Sequence, residues 1–331
     1  MAAVSISLLW LCLTSNSEAR YASQVLSIAS YAALGDSYAA GAGAGSPLSV
    51  CGRFTDAYPI QIASYIGLDI RGSGFRHLAC GGSTSTSVLY SQVPDIGNAD
   101  LVTITVAGNE VDFSQVLNEC VYHWHPFLTC EAAITESRRL LESSVLWNNF
   151  DALIAGTAER MKPDGLLLVT GYARFFNEKT DLCDHVTFSR TRPLDYLTKS
   201  KRSSLNALVE MLNEVIRATA QVHGALYVDI DEAFAGHRFC EDGVHEPDLE
   251  RTDTWFLNLP ASDFGGGGRD QLLQVPEGTL EEHRANVDDT GLPTLEDWVT
   301  FHPTTLGHRA ITEEIVGLLR KMGRGVERRA T

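Results

Sequence analysis

Basic residues are scarce in this sequence, and long apolar runs are missing from it. Its 331 residues include 26 Lys and Arg against 42 Asp and Glu, which gives a formal net charge of −16. Such a chain repels phosphate backbones and anionic lipid headgroups, so a nucleic-acid partner and an anionic membrane surface are both disfavoured. No run is long enough for an integral membrane segment. With 44% hydrophobic and 21% charged residues, the composition is typical of a globular protein.

The cysteines lack the paired spacing that is typical of structural zinc sites. No Cys-x-x-Cys occurs, so we expect no bound metal and no cofactor, although His123, His125 and His237 leave a zinc hydrolase as an alternative. Cys12 lies within the first 19 residues, which are expected to be removed as a signal peptide. The remaining cysteines are Cys51, Cys80, Cys120, Cys130, Cys183 and Cys240. An even number favours three disulfides in a secreted protein. The residues alone leave the connectivity open.

The first 19 residues are expected to be a secretory signal peptide. An apolar run at residues 6–13 is too short to cross a bilayer, and the small-residue site Ser17-Glu18-Ala19 follows it. No basic residue precedes the run, so a buried amino-terminal strand or helix is the alternative. Cleavage after Ala19 would leave residues 20–331 as a secreted, extracellular protein, which we expect to be a monomer.

Short apolar segments alternate with helical patterns along the chain. The segments predict buried strands at residues 28–34, 70–79, 101–107, 166–171 and 225–230. Apolar residues at three- and four-residue steps predict a helix over 203–222, and further helices are expected over 145–161 and from Pro303. This alternation predicts an α/β fold with a parallel sheet covered on both faces. Residues 243–300 break the pattern, and we expect a loop-rich insert there.

The most informative motif is Gly35-Asp36-Ser37, which follows the first predicted strand. In open α/β sheets, ligands bind at the carboxyl ends of the strands, where a serine can present its hydroxyl to a crevice. Alone, the tripeptide is more often an ordinary turn than a catalytic motif. The nearby run at residues 41–46 resembles a dinucleotide-binding loop, but Ser46 stands where that fingerprint requires glycine. We therefore expect no nucleotide site.

Three further blocks support a catalytic interpretation. Residues 80–82 (Cys-Gly-Gly) follow the second predicted strand, residues 108–109 (Gly-Asn) follow the third, and His302 precedes the last helix. Together with residues 35–37, they occur in the order found in the SGNH (GDSL) hydrolase family, which the sequence resembles from residue 35 to residue 302. The resemblance implies a three-layer α/β/α sandwich with five parallel strands in the order 2-1-3-4-5.

The resemblance also implies an acyl-transfer mechanism. Ser37 would attack an ester carbonyl, and His302 would accept its proton as general base. The backbone N–H groups of Ser37 and Gly82 and the side-chain amide of Asn109 would form the oxyanion hole. Neutral donors suit this role because the tetrahedral intermediate carries negative charge. Since Ser37 and His302 must meet in one site, residues 20–331 are expected to form a single domain.

The sequence departs from the family at the group that orients the histidine. The family usually has aspartate three residues before the histidine, but Val299 occupies that position and Asp297 lies two residues further away. Some secreted members use a backbone carbonyl instead, so the Val299 carbonyl and the Asp297 carboxylate are both candidates. Asp36 is expected to be a structural hydrogen-bonding residue.

The cysteines also match secreted lipases and esterases of this family, which pair them in sequence order. This implies Cys51–Cys80, Cys120–Cys130 and Cys183–Cys240. We expect a secreted carboxylic ester hydrolase, an esterase or lipase acting on a small-molecule, lipid or acetylated-glycan ester. The missing aspartate supports a second hypothesis, an inactive secreted protein that binds glycans or lipids on the same fold. Fold analogy does not choose among esters.

Overall fold

The computed structural model describes residues 28–48, 51–123, 127–189, 192–247, 252–258 and 299–323. The expected signal peptide and most of the expected insert at 243–300 lie outside these ranges, as do His125 and Asp297. The signal peptide, the single domain and the insert therefore stay predictions.

A five-stranded parallel sheet forms the centre of the molecule. Its strands are β1 (Tyr31–Gly35), β2 (Phe75–His77), β3 (Leu101–Thr105), β4 (Leu166–Thr170) and β5 (Leu226–Val228), in the spatial order β2-β1-β3-β4-β5. Every residue of β1, β3 and β4 is buried, because helices cover both faces of a parallel sheet. The predicted fold and strand order are confirmed.

Helices pack on both faces of the sheet. They are α1 (Ser37–Ala40), α2 (Tyr58–Tyr65), α3 (Ser85–Ser91), α4 (Phe113–Leu117), α5 (Cys130–Leu141), α6 (Ser144–Arg160), α7 (Lys199–Val222) and α8 (Thr305–Lys321). Helices α2 and α8 contact each other in one layer, and α3, α5, α6 and α7 form the other. Within the described ranges, no helix combines the length and the apolar character needed to cross a bilayer.

Helix α7 begins four residues before the predicted start at residue 203. Its first turn, residues 199–202, is polar and therefore carries no apolar stripe. The Thr198 hydroxyl accepts the Lys201 N–H at 3.3 Å and caps the helix there. The capping side chain, not the apolar periodicity, sets this end of the helix.

Strand β2 is shorter than the predicted segment at 70–79. The residues before it form a turn, in which the Gly72 N–H donates to the Asp69 carbonyl at 3.0 Å. After it, the Leu78 and Ala79 N–H groups both donate to the Ala33 carbonyl, so regular pairing with β1 ends. The shorter strand leaves the end of β1 open to contacts from other parts of the chain.

Residues 252–258 lie within the expected insert and pair with the segment that carries His302. The Leu257 N–H donates to the His302 carbonyl at 2.8 Å, and the Phe301 N–H donates to the Leu257 carbonyl at 2.9 Å. Phe256 of the same segment is part of the hydrophobic core. This part of the insert therefore helps to hold the His302 segment in place.

Candidate active site

The chain turns sharply at the end of β1 and places Ser37 at the first position of α1. Gly35 has a φ of +137°, and a Cβ there would lie 2.0 Å from the Thr105 carbonyl oxygen of β3. Only glycine tolerates such a close approach. The Asp36 carboxylate accepts the Tyr38 N–H at 2.9 Å and caps α1. The motif thus forms a strand-to-helix turn at the carboxyl end of the sheet.

Ser37 and His302 are in direct contact, although they lie far apart in the sequence. The Ser37 Oγ atom is 2.7 Å from the His302 Nε2 atom. The His302 Nδ1 atom lies 3.0 Å from the Val299 carbonyl oxygen. Because a carbonyl only accepts hydrogen bonds, Nδ1 carries the ring proton and the Nε2 lone pair faces the serine hydroxyl. A general base for serine requires this tautomer.

The backbone around His302 is held by Tyr38, the residue that follows Ser37. The Tyr38 hydroxyl donates to the Phe301 carbonyl at 2.9 Å, and the ring centroids of Tyr38 and His302 lie 5.2 Å apart. Phe301 has a φ of +66°, a left-handed conformation that is uncommon for a residue other than glycine. Strained backbone of this kind concentrates at functional sites, where the surrounding structure enforces it.

The surroundings of His302 favour the neutral imidazole. His302 as a whole is half-buried, and this burial lowers its pKa to about 4. Hydrogen bonds to the Thr300 and Val299 carbonyls act in the opposite direction and raise the pKa by less. The ring is therefore neutral at pH 7 and able to accept a proton.

The three predicted oxyanion donors lie on three neighbouring loops. The Ser37 N–H is the first of α1, where a helix offers it no partner. Gly82 has a φ of +76°, and within the described residues its N–H donates to no other backbone group. The Asn109 Nδ2 atom donates to the Ser83 carbonyl at 2.9 Å, directly beside Gly82. The fold thus brings together the loops that carry all three groups.

Asp36 is buried within the nucleophile turn. Its Oδ2 atom accepts the Tyr172 hydroxyl at 2.5 Å, and its Oδ1 atom accepts the Tyr38 N–H. Burial raises the pKa of Asp36 to about 7, while the hydrogen bonds from Tyr172 and Tyr38 lower it. Both carboxylate oxygens therefore accept hydrogen bonds, one from within the turn and one from Tyr172, as expected for a structural residue.

The structure contains the three disulfides that the resemblance implies. The pairs are Cys51–Cys80, Cys120–Cys130 and Cys183–Cys240. Cys80 begins the loop that carries Gly82, and the Gly81 N–H donates to the Cys51 carbonyl at 2.9 Å. The first disulfide therefore ties the segment after Ser37 to a predicted oxyanion donor.

Two of the histidines considered as zinc ligands have other contacts. His123 is buried and lies 2.9 Å from the Asp195 carboxylate. The His237 ring stacks on the ring of Trp255, with 3.6 Å between the centroids. In the part of the chain that the structure describes, no three His, Cys, Asp or Glu side chains are grouped to hold a metal ion.

The sequence motifs do not identify two buried side chains that bridge the donor loops. Gln92, at the end of α3, contacts the loop that carries Ser37 and the loop that carries Gly82. Tyr172 contacts the loop that carries Ser37 and the loop that carries Asn109. Tyr172 lies two residues beyond β4, so its place at the carboxyl edge of the sheet is a usable signal. Nothing in the local sequence marks Gln92, because its partners lie on other segments.

Most of the chain is similar to known proteins. A profile of the GDSL-like lipase/acylhydrolase family matches residues 33–310. A lipase from Streptomyces rimosus is 30% identical over 218 residues, covering 63% of this chain and 73% of that protein. The crystal structure of phospholipase A1 from Streptomyces albidoflavus NA297 is 25% identical, with a TM-score of 0.61 over 89% of this chain and 99% of that one.

A second solved structure supports the fold alone. It is the extracellular lipase of Streptomyces rimosus, 24% identical, with a TM-score of 0.62 over 88% of this chain and 99% of that one. Ser37, Gly82, Asn109 and His302 lie within the range that the family profile spans. The chain therefore belongs to the GDSL-like lipase/acylhydrolase family and is a carboxylic ester hydrolase.

Proposed function

We propose that Ser37 is the nucleophile and His302 the general base of a secreted serine esterase or lipase. The contact of 2.7 Å between Ser37 Oγ and His302 Nε2 carries this proposal. A serine hydroxyl is a weak nucleophile until a nearby base accepts its proton. The Val299 carbonyl supports the role of His302, because it holds the ring in the tautomer whose Nε2 atom carries no proton and can accept one from Ser37.

Acylation begins when Ser37 Oγ attacks the ester carbonyl carbon. The serine proton moves to His302 Nε2, and the carbonyl π electrons move to the oxygen. The Ser37 and Gly82 N–H groups and the Asn109 amide stabilise that oxyanion. As the intermediate collapses, the bond to the alcohol breaks, and His302 returns its proton to the leaving oxygen. The product of this half-reaction is an acyl ester on Ser37.

Deacylation repeats these steps with water. His302 Nε2 removes a proton from water, whose oxygen attacks the acyl carbon, and the same three donors stabilise the second oxyanion. When the intermediate collapses, the proton passes to Ser37 Oγ and the carboxylic acid leaves. The Val299 carbonyl stabilises the imidazolium that forms in both halves, through the Nδ1–H bond at 3.0 Å.

We propose that the substrates are lipids and that the enzyme hydrolyses the ester bonds of their acyl chains. The relatives named lipase and phospholipase A1 support this choice over acetylated glycans. The three disulfides support secretion, since such bonds persist in oxidising compartments. Residues 1–19 would be the signal peptide, and residues 20–331 would form one mature domain.

A fluorophosphonate probe tests the proposed nucleophile directly, because it reacts with an activated serine. The serine oxygen displaces fluoride from the probe, so the protein should gain the mass of one probe less HF, located on the peptide that contains Ser37. The Ser37→Ala variant should gain none. Ser91→Ala is the matched control, since the exposed Ser91 hydroxyl donates to the Ser87 carbonyl at 2.6 Å and should not affect labelling. A protein that does not label would favour the inactive binding protein instead.

Replacing Asp297 by asparagine tests which group orients His302. If the Val299 carbonyl does so, kcat should fall by less than about threefold, because the substitution leaves the backbone carbonyl that lies 3.0 Å from Nδ1 in place. A carboxylate in that role is worth about 10⁴-fold in kcat. Steady-state kinetics on a p-nitrophenyl ester measures the difference. A loss of more than about tenfold would transfer the role to Asp297.

A further inference from the structure

We propose that Gln92 and Tyr172 are positioning residues for the oxyanion hole, because together with Asn109 they join its three loops into a closed ring of hydrogen bonds. The loops are residues 35–37, 80–83 and 107–109, which carry the three proposed donors. The inference rests on the proposed function and adds how the donors of that site are held in position.

Gln92 joins the first loop to the second. Its Oε1 atom accepts the Gly35 N–H at 2.8 Å, and its Nε2 atom donates to the Gly35 carbonyl at 2.9 Å. The same Nε2 atom donates to the Ser83 hydroxyl at 3.1 Å. Gln92 is 3% exposed. Its carboxamide thus pairs with Gly35 as a neighbouring strand would, beyond the end of β2, and also fixes the residue next to Gly82.

Asn109 joins the second loop to the third. Its Nδ2 atom donates to the Ser83 carbonyl at 2.9 Å. Ser83 is therefore held twice, by Gln92 through its hydroxyl and by Asn109 through its carbonyl. A carboxamide nitrogen carries two N–H groups, so Asn109 can hold Ser83 with one and donate to an oxyanion with the other.

Tyr172 joins the third loop back to the first. Its hydroxyl donates to Asp36 Oδ2 at 2.5 Å and accepts the Gly108 N–H at 3.1 Å. The backbone N–H and carbonyl of Tyr172 are both bonded to the Asn213 side chain at 2.8 Å, which anchors the residue to α7. Tyr172 is 2% exposed, so its hydroxyl has a fixed position between the two loops.

The closed ring has a direct consequence for catalysis. Each of the three loops is bonded to both of the others, so no loop can shift without stretching one of these hydrogen bonds, all of which are buried except the part-buried Asn109–Ser83 bond. Donors that are already in place stabilise a developing oxyanion without reorganisation during the reaction. Buried side chains that hydrogen-bond to a loop on the side away from the substrate hold its functional groups in fixed positions. Gln92 and Tyr172 supply that support without contacting the substrate.

Tyr172→Phe and Gln92→Met each break one junction and nearly preserve the size of the side chain. Loss of a whole oxyanion donor typically costs about 10²- to 10³-fold in kcat, and a displaced donor costs less. Each variant should therefore lower kcat for a p-nitrophenyl ester by about 10- to 100-fold and change KM by less than about threefold. This split distinguishes a positioning role from weaker substrate binding.

Two matched controls remove similar buried bonds elsewhere. Tyr31→Phe loses the hydroxyl bond to Thr103 inside the sheet, which is 2.8 Å long. Asn206→Leu loses a carboxamide that bonds both the N–H and the carbonyl of Phe176. Both should lower the melting temperature, because each removes at least one buried hydrogen bond. Their kcat values should stay within about threefold of the unchanged protein.

The outcomes separate this inference from the proposed function. Unchanged kcat in Tyr172→Phe, or an equal loss of kcat in the controls, would overturn the positioning role. If Gln92→Met does not fold, Tyr172→Phe decides alone. Ser37→Ala belongs in the same series. Retained activity in Ser37→Ala would refute the proposal that Ser37 is the nucleophile. If Ser37→Ala is inactive and Tyr172→Phe keeps its full kcat, only the positioning role of the hydrogen-bonded ring is refuted.

The double variant Gln92→Met/Tyr172→Phe tests whether the ring acts as one unit. A ring that is already broken no longer fixes its remaining junctions, so the second substitution should cost less than it does alone. The combined loss in kcat should therefore be smaller than the product of the two single losses. A loss equal to the product would show that the two side chains act separately, and the closed ring would be rejected.

Discussion

Replacement of Ser37 by alanine should lower kcat for p-nitrophenyl ester hydrolysis by about 10⁴-fold or more. Without the hydroxyl no acyl-enzyme can form, and only substrate binding and the oxyanion donors continue to act. The fold should be unaffected, because alanine suits the first turn of α1 and the Asp36 cap remains. The melting temperature should change by less than about 3 °C.

Ser91→Ala is again the control and should retain full activity, since the exposed Ser91 hydroxyl donates to the Ser87 carbonyl of its own helix. Both variants should be compared at equal concentration, with the melting temperature recorded for each. Retained hydrolysis in Ser37→Ala, with the fold intact, would remove Ser37 as the nucleophile. The assignment of the chain to its family would then stand, but the proposed mechanism would not.

The central strands can be predicted from the sequence because burial on both faces produces continuous apolar runs. Strands β3 and β4 start at the first residue of their predicted segments. The predicted segment at 70–79 fails for a physical reason: β2 lies at the edge of the sheet, and a turn at Gly72 interrupts the run. The π-helical segment Asn118–Tyr122 follows α4 without a sequence signal that we recognise.

The site is predictable to the extent that its chemistry is carried by motif side chains. Ser37 and His302 fall at the places expected of them, and their contact follows from the fold. The group that holds His302 Nδ1 could not be chosen, because Val299 contributes a backbone carbonyl that any residue would provide. Gln92 and Tyr172 bond to segments 57 and 136 residues away. The position of Tyr172 just after β4 is a sequence signal, but only the folded chain identifies Gln92.

His302→Ala should lower kcat by about 10⁴-fold, since it removes the base that lies 2.7 Å from Ser37 Oγ. Added imidazole should restore part of the activity by occupying the space left by the ring. His308→Asn is the control. His308 is a buried histidine of α8 whose Nδ1 atom accepts the Tyr58 N–H at 3.3 Å, so its replacement should affect stability and not activity. Near-normal kcat in His302→Ala would overturn its role as base.

The pH dependence of kcat/KM tests the same base without a substitution. Burial lowers the pKa of His302 from 6.5 to about 4, so Nε2 should stay unprotonated, and kcat/KM should hold, down to about pH 5. Stability must be followed in parallel. Burial also lowers the pKa of His308, to about 3. Below pH 6.5 the unfolded chain therefore binds more protons than the folded protein, so the free energy of unfolding decreases as the pH is lowered. A carboxylate beside His302 would raise its pKa. An acid limb at or above pH 6.5 in the folded protein would therefore contradict the Val299 carbonyl and assign the orienting role to Asp297.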